Sequence, residues 1–141
     1  MNIFTIFTHH IFNTIKSLTE ENLLPAYLEY EKISCEPPKN PKHGDISTNV
    51  AMILSGQLKL STREISLLIK NKILEENPHV KSVEIAGPGF INIWLNDNTL
   101  HEILHQINLQ KRDYGKSEIG KNIKVNIEFV SANPTGPMHI G

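Results

Sequence analysis

Between Ile3 and Leu18 apolar residues recur at helical spacing: Ile3, Phe7, Ile11, Ile15 and Leu18, with Phe4 and Phe12 widening the stripe. That period places them on one face, so the spacing predicts an amphipathic helix over residues 3–22. His9 and His10 fall side by side within it, about 100° apart around the axis, which prevents them from sharing a metal ion and makes both surface residues by expectation. Tyr30 to Cys35 mixes β-forming residues with charge and is read as a strand. The stretch from Glu36 to Gly44 carries three prolines, which remove backbone donors and fix φ, and must be a loop. An apolar run from Asn49 to Leu54 then reads as a buried helix starting near Thr48, with Ser47 or Thr48 as its cap. Ser61 followed by Glu64 is a capping box opening a second confident helix. Ile65, Leu68, Ile69 and Ile73, with Leu67 beside them, form its inner face; Asn77-Pro78 ends it, and Lys70 and Lys72 are expected on its exposed side.

The period then changes to two. Val80 to Ala86 alternates, Gly87-Pro88-Gly89 turns the chain, and Phe90 to Leu95 returns, which predicts an antiparallel hairpin. Along the second strand Ile91, Ile93 and Leu95 point one way as core, and Phe90, Asn92 and Trp94 point the other. Two rings flanking a side-chain amide suit unstacked RNA bases, the rings stacking and the amide reading a hydrogen-bonding edge. The competing reading has a helix packed over this face, with Phe90 and Trp94 as plain core. Asn96 to Thr99 supplies helix caps, and Leu100, Ile103, Leu104 and Ile107 form a narrow apolar stripe. Residues 111–122 are polar with two glycines and read as a linker. Finally Val125, Ile127 and Phe129 alternate with polar neighbours as in a strand, which runs into the turn residues Ser131 to Pro137.

The expected fold class is α+β: a small antiparallel sheet of about four strands packed with helices over residues 1–110, a linker over 111–122, and one further isolated strand with its loop over 123–141. A chain of 141 residues has room for one ordinary domain and an appendage. A formal net charge of −1 argues against a broad basic face gripping nucleic acid, so any RNA contact must be local. Lys39, Lys42 and His43 make the proline loop the most basic short segment, suited either to solvent or to phosphate. No apolar run is long enough to span a bilayer, no signal peptide is recognisable at the N-terminus, and the single cysteine, Cys35, fits a reducing cytosol. A cytoplasmic monomer is the expectation.

His101-Glu102-Ile103-Leu104-His105 matches H-E-x-x-H, in which two histidines share a helical face on zinc and the glutamate activates water. A third ligand would have to come from Glu118, Glu128 or His139, and little chain remains to build a substrate site. The expected metal content is therefore none, with a zinc hydrolase as the remote alternative.

The run from Val125 to Pro137, V-N-I-E-F-V-S-A-N-P-T-G-P, followed by His139-Ile140-Gly141, resembles the first βα crossover of class I aminoacyl-tRNA synthetases, and specifically arginyl-tRNA synthetase. Lys42-His43-Gly44-Asp45 with Ser47-Thr48-Asn49 and Ala51, and Gly87-Pro88-Gly89-Phe90-Ile91-Asn92, look like signatures of that family's N-terminal additional domain. The resemblance implies an α/β unit that contacts the D-loop corner of tRNA(Arg) through Phe90 and Asn92. Trp94, Lys42 and His43 complete the expected RNA-binding set. In the terminal segment it implies that Glu128 pairs with the substrate guanidinium, and that Ser131 and Asn133 hold the main-chain end of L-arginine. Pro134, Thr135, Gly136, His139 and Gly141 would form the ATP site, with His139 and Gly141 as the catalytic pair at the start of the nucleotide-binding helix of a Rossmann domain. The implied chemistry is two-step, through arginyl-adenylate, with ATP and Mg2+ as cofactors of the parent enzyme and none expected on this chain. The signature's second histidine would be residue 142, so the chain is expected not to aminoacylate by itself. A free-standing RNA-binding module is the alternative reading.

Overall fold

The computed structural model describes residues 2–128 and residue 136. It is an α+β fold in which helices pack on a four-stranded sheet. Helix α1, Ile3–Glu20, is capped by Asn2, whose side chain accepts from the Thr5 amide. It buries Phe7, Ile11, Ile15 and Leu18, the stripe set by the apolar spacing. His9 is exposed as expected, but His10 is half-buried, its ring 5.3 Å from that of Phe7 and 6.5 Å from that of His79.

Strand β1 is Cys35–Glu36, shorter and later than the segment expected from Tyr30. After a 3-10 turn at Pro41–His43 comes β2, Ile46–Thr48, which has the alternation of a strand but only three residues of it. Helix α2, Val50–Leu58, follows. Thr48 does serve its start, its hydroxyl accepting from the Val50 amide at 3.4 Å, whereas Asn49 turns away to hold the preceding loop. The Asn49 amide accepts from the Ser34 backbone and donates to the Lys32 carbonyl, both at 2.9 Å.

Helix α3, Thr62–Glu76, opens on the capping box formed by Ser61 and Glu64, in which each side chain binds the other's backbone N–H. These hydrogen bonds favour the ionised Glu64 and hold its pKa below the usual range. Ile65, Ile69 and Ile73 are buried and Leu67 is exposed. Lys72, expected on the outside, is instead buried at the junction with α1. Its ammonium pairs with Glu21 past the end of α1, with Glu76 at 3.1 Å and with Glu75 at 3.5 Å. A cation can be buried there because three carboxylates replace its hydration.

Strands β3, Val80–Ala86, and β4, Phe90–Leu95, form the expected hairpin. The sheet order is β1-β2-β4-β3, with every neighbour antiparallel. On its inner face Ile46, Ile91, Ile93 and Leu95 meet the apolar stripes of α1, α2 and α3. Asp45 extends the β2–β4 pairing by one step: its N–H donates to the Ile93 carbonyl at 2.9 Å and its carboxylate accepts from Leu95 N–H at 2.8 Å.

Helix α4, Asp97–Gln110, has the stripe predicted for it but buries little of it. Ile103 and Ile107 are half-buried, Leu100 and Leu104 are exposed, and Thr99 is the helix's one buried residue. Beyond a 3-10 turn at Lys111–Asp113 the linker residues are exposed. Residues 123–128 form no strand, and Ile123, Val125 and Ile127 are exposed. Among the described residues, no helix is long and apolar enough to cross a membrane.

Candidate nucleic-acid interface

The outer face of the sheet is set by register. Glu36 stands opposite Ser47, Ser47 opposite Asn92, and Asn92 opposite Glu84, so one polar row crosses all four strands. Phe90 stands beside this row at the hairpin end, paired with Ala86. The proline loop folds over the row and makes a cavity of about 460 Å³ lined by Glu36, Pro37, Pro38, Lys39, Asn40 and His43 from the loop. Ser47, Ala86, Gly87, Phe90 and Asn92 form its floor and wall. No residue of the four α-helices lines it and Phe90 is exposed, so the alternative in which a helix packs over this face with Phe90 and Trp94 as plain core does not hold for Phe90.

The cavity joins unlike surfaces. Phe90 is 41% exposed, a large value for a phenylalanine, while Asn92 is only 4% exposed. None of the side-chain hydrogen bonds formed among the described residues involves the Asn92 amide, and no fully enclosed polar side-chain atom is left unpartnered there. The amide therefore reaches the cavity, where it offers both a donor and an acceptor. An exposed ring next to such an amide can stack a flat, polar-edged ligand and read its edge. Lys39 and His43 at the rim favour anions, and Glu36 opposes them in part.

Two of the five expected RNA-binding residues stand elsewhere. Trp94 lies on the outer face but outside this cavity, partly buried under Gly44: a Cβ on Gly44 would lie 3.1 Å from its indole and 2.7 Å from the Ile93 carbonyl. The close approach, together with a φ of +101°, explains the glycine at this position. Lys42 is exposed on the 3-10 turn and does not line the cavity; Lys39 does. Ser47 and Glu36 were not foreseen as lining residues. Only the cross-strand register shows them, and β2 is too short for its period to announce it.

Of the residues expected in the arginine and ATP sites, Glu128 and Gly136 are exposed. Ser131, Asn133, Pro134, Thr135, His139 and Gly141 lie outside the described residues. In the H-E-x-x-H segment on α4, His101 and His105 are exposed, and Glu102 faces away to His79, 4.0 Å from its Nδ1. Among the described residues no three His, Cys, Asp or Glu side chains converge as metal ligands would.

Residues 6–95 match the family described as arginyl tRNA synthetase N terminal domain, a span that begins within the first turn of α1 and ends on the last residue of β4. The chain belongs to that family. It is similar to the arginine–tRNA ligase of Chelativorans sp. (strain BNC1), with 42% identity over all 141 residues, or 24% of that protein. The corresponding ligase of Xanthobacter autotrophicus is 41% identical over the same span. That of Caldanaerobacter subterraneus subsp. tengcongensis is 44% identical over 130 residues, 90% of this chain and 23% of that protein. The chain thus spans about a quarter of the length of these relatives. Within it, two of the three signatures that carry the resemblance, around Gly44-Asp45 and around Gly87 to Asn92, fold together: the first shapes the loop and clips β4, and the second supplies the turn, the ring and the amide.

Proposed function

We propose that this chain is the N-terminal part of an arginine–tRNA ligase and that it contributes the site for the D-loop corner of tRNA(Arg). The observation that carries the reading is the cavity in which an exposed Phe90 ring adjoins an Asn92 amide that has no hydrogen-bond partner among the described residues, beneath a loop bearing Lys39 and His43. A base stacked on Phe90 and hydrogen-bonded by Asn92 contributes about 1 to 3 kcal/mol by stacking and needs little net charge, which agrees with a chain whose formal charge is −1.

On this reading residues 1–110 form the RNA-binding domain, residues 111–122 are a linker, and residues 123–141 open the catalytic Rossmann domain. Glu128, Ser131 and Asn133 bind L-arginine, and Pro134, Thr135, Gly136, His139 and Gly141 bind ATP with Mg2+. The whole enzyme, in the cytoplasm, joins arginine to tRNA through arginyl-adenylate. Catalysis there consists chiefly of positioning the reactants and stabilising charge on the transferred phosphate. The N-terminal domain acts through binding: it fixes the tRNA elbow so that the 3′ end arrives correctly.

Binding of a tRNA(Arg) transcript to the chain, followed by gel shift, tests this. Phe90→Ala and Asn92→Ala are expected to weaken the complex by at least tenfold. Equal binding by wild type and Phe90→Ala would remove the D-loop assignment.

A further inference from the structure

The turn Gly87-Pro88-Gly89 separates two openings. One is the Phe90–Asn92 cavity. The other, of about 410 Å³, is lined by Thr62, Arg63, Leu67, Ile85 and the turn itself, and Gly87 belongs to both. Among the described residues, no acidic side chain lines the second opening.

The two are held in fixed relation by one contact. Gly89, at φ +125°, is seated so closely on the start of α3 that a Cβ there would fall 2.0 Å from Thr62 Cγ2. Phe90 follows Gly89 and Arg63 follows Thr62, so the ring and the guanidinium are each one residue from the same contact, on opposite sides of the turn.

Arg63 is exposed, and among the described residues no carboxylate lies within ion-pair distance of it. It sits in the first turn of α3, at the positive end of the helix dipole, where a cation is locally disfavoured. The carboxylate of that turn, Glu64, is engaged by Ser61 and does not neutralise it. An uncompensated cation kept in an unfavourable place, beside an acid-free opening that adjoins an aromatic cavity, is arranged for an anion brought from outside.

We propose that Arg63 binds a backbone phosphate of the same RNA whose base enters the Phe90–Asn92 cavity, so that the RNA crosses the Gly87–Gly89 turn. The proposal rests on the RNA-binding reading of that cavity. A guanidinium suits this role because its planar fork meets two phosphate oxygens at once. A phosphate contact positions the strand and carries no base information, so Arg63 adds affinity and salt dependence while discrimination stays with Asn92.

The test is a salt series of binding isotherms for labelled tRNA(Arg) with the full chain and the variants Arg63→Gln, Arg63→Lys and Phe90→Ala. Arg63→Gln is expected to weaken binding several-fold at low salt and to reduce the slope of log K against log salt by about 0.7 to 0.9, the loss of one phosphate contact. Arg63→Lys should keep that slope, and Phe90→Ala should weaken binding with the slope unchanged. If Arg63→Gln matches wild type in affinity and slope while Phe90→Ala weakens binding, the proposal is wrong and the cavity reading stands. If Phe90→Ala also binds like wild type, both are wrong.

Discussion

The carboxylate of Asp45 accepts a hydrogen bond from the backbone N–H of Leu95 at 2.8 Å, while the Asp45 N–H donates to the carbonyl of Ile93. One residue thus continues the β2–β4 ladder past the end of β2 and anchors the proline loop to the strand that carries Asn92. Asp45→Ala is expected to cost about 1 to 2 kcal/mol, the worth of a part-exposed charge-assisted hydrogen bond, in a urea titration. Asp45→Asn, which keeps an acceptor, should cost less.

Gly89 should tolerate no side chain. Gly89→Ala combines a left-handed φ with a Cβ placed on Thr62 Cγ2, and a loss of about 2 kcal/mol or more is expected. Thr62→Ser removes the methyl group that collides. The pair Gly89→Ala with Thr62→Ser should therefore recover part of the loss, the part left over being backbone strain, and a double-mutant cycle by chemical denaturation measures this coupling.

Much of this fold is legible in the sequence, and what is not has physical reasons. The stripe of α1, the Ser61–Glu64 box and the alternation on either side of Gly87-Pro88-Gly89 are local signals, and each produces the expected element. Strand β2 escapes a sequence reading because Ile46 to Thr48 is too short for a period to show. Lys72 reads as a surface residue because its partner Glu21 is 51 positions away in sequence. The alternation places Phe90 and Asn92 on one face, but their enclosure by Pro37 to His43 is a long-range event with no local sign. Trp94 shares their strand face and differs only because Gly44 rests on it. On α4 the stripe of Leu100 and Leu104 fixes the helix but cannot say that nothing among the described residues covers it.

Lys72 gives a third stability prediction. Its hydrogen bond to Glu21, then that to Glu76, raises its pKa above the ordinary 10.5. A raised lysine contributes stability fully below 10.5 and loses it as pH climbs through the folded value, so thermal melts should be flat in this respect through neutral pH and fall in strong alkali. Lys72→Met leaves Glu21, Glu75 and Glu76 facing one another without a cation. The melting temperature should drop at pH 7, and the drop should shrink in high salt as repulsion is screened.

At the other end of the pH range His10 should matter. Burial, then the neighbouring His79 and His9, lower its pKa from 6.5. The groups facing it from other elements are His79 ahead of β3 and Glu102 on α4, the latter 4.0 Å from His79. A depressed histidine binds its proton more readily in the unfolded chain, so stability should be intact above 6.5 and decline as pH falls from there through the lower folded value. His10→Gln should flatten that decline, as measured by urea midpoints between pH 7 and pH 5.

The cavity itself is tested most directly by a double-mutant cycle across the interface. Wild type and Asn92→Ala are each titrated with tRNA(Arg) and with the same tRNA made abasic at the D-loop tip. Coupling of about 1 kcal/mol or more between the two changes is expected, since each removes one partner of the same contact. Losses that simply add would contradict a base in the Phe90–Asn92 cavity.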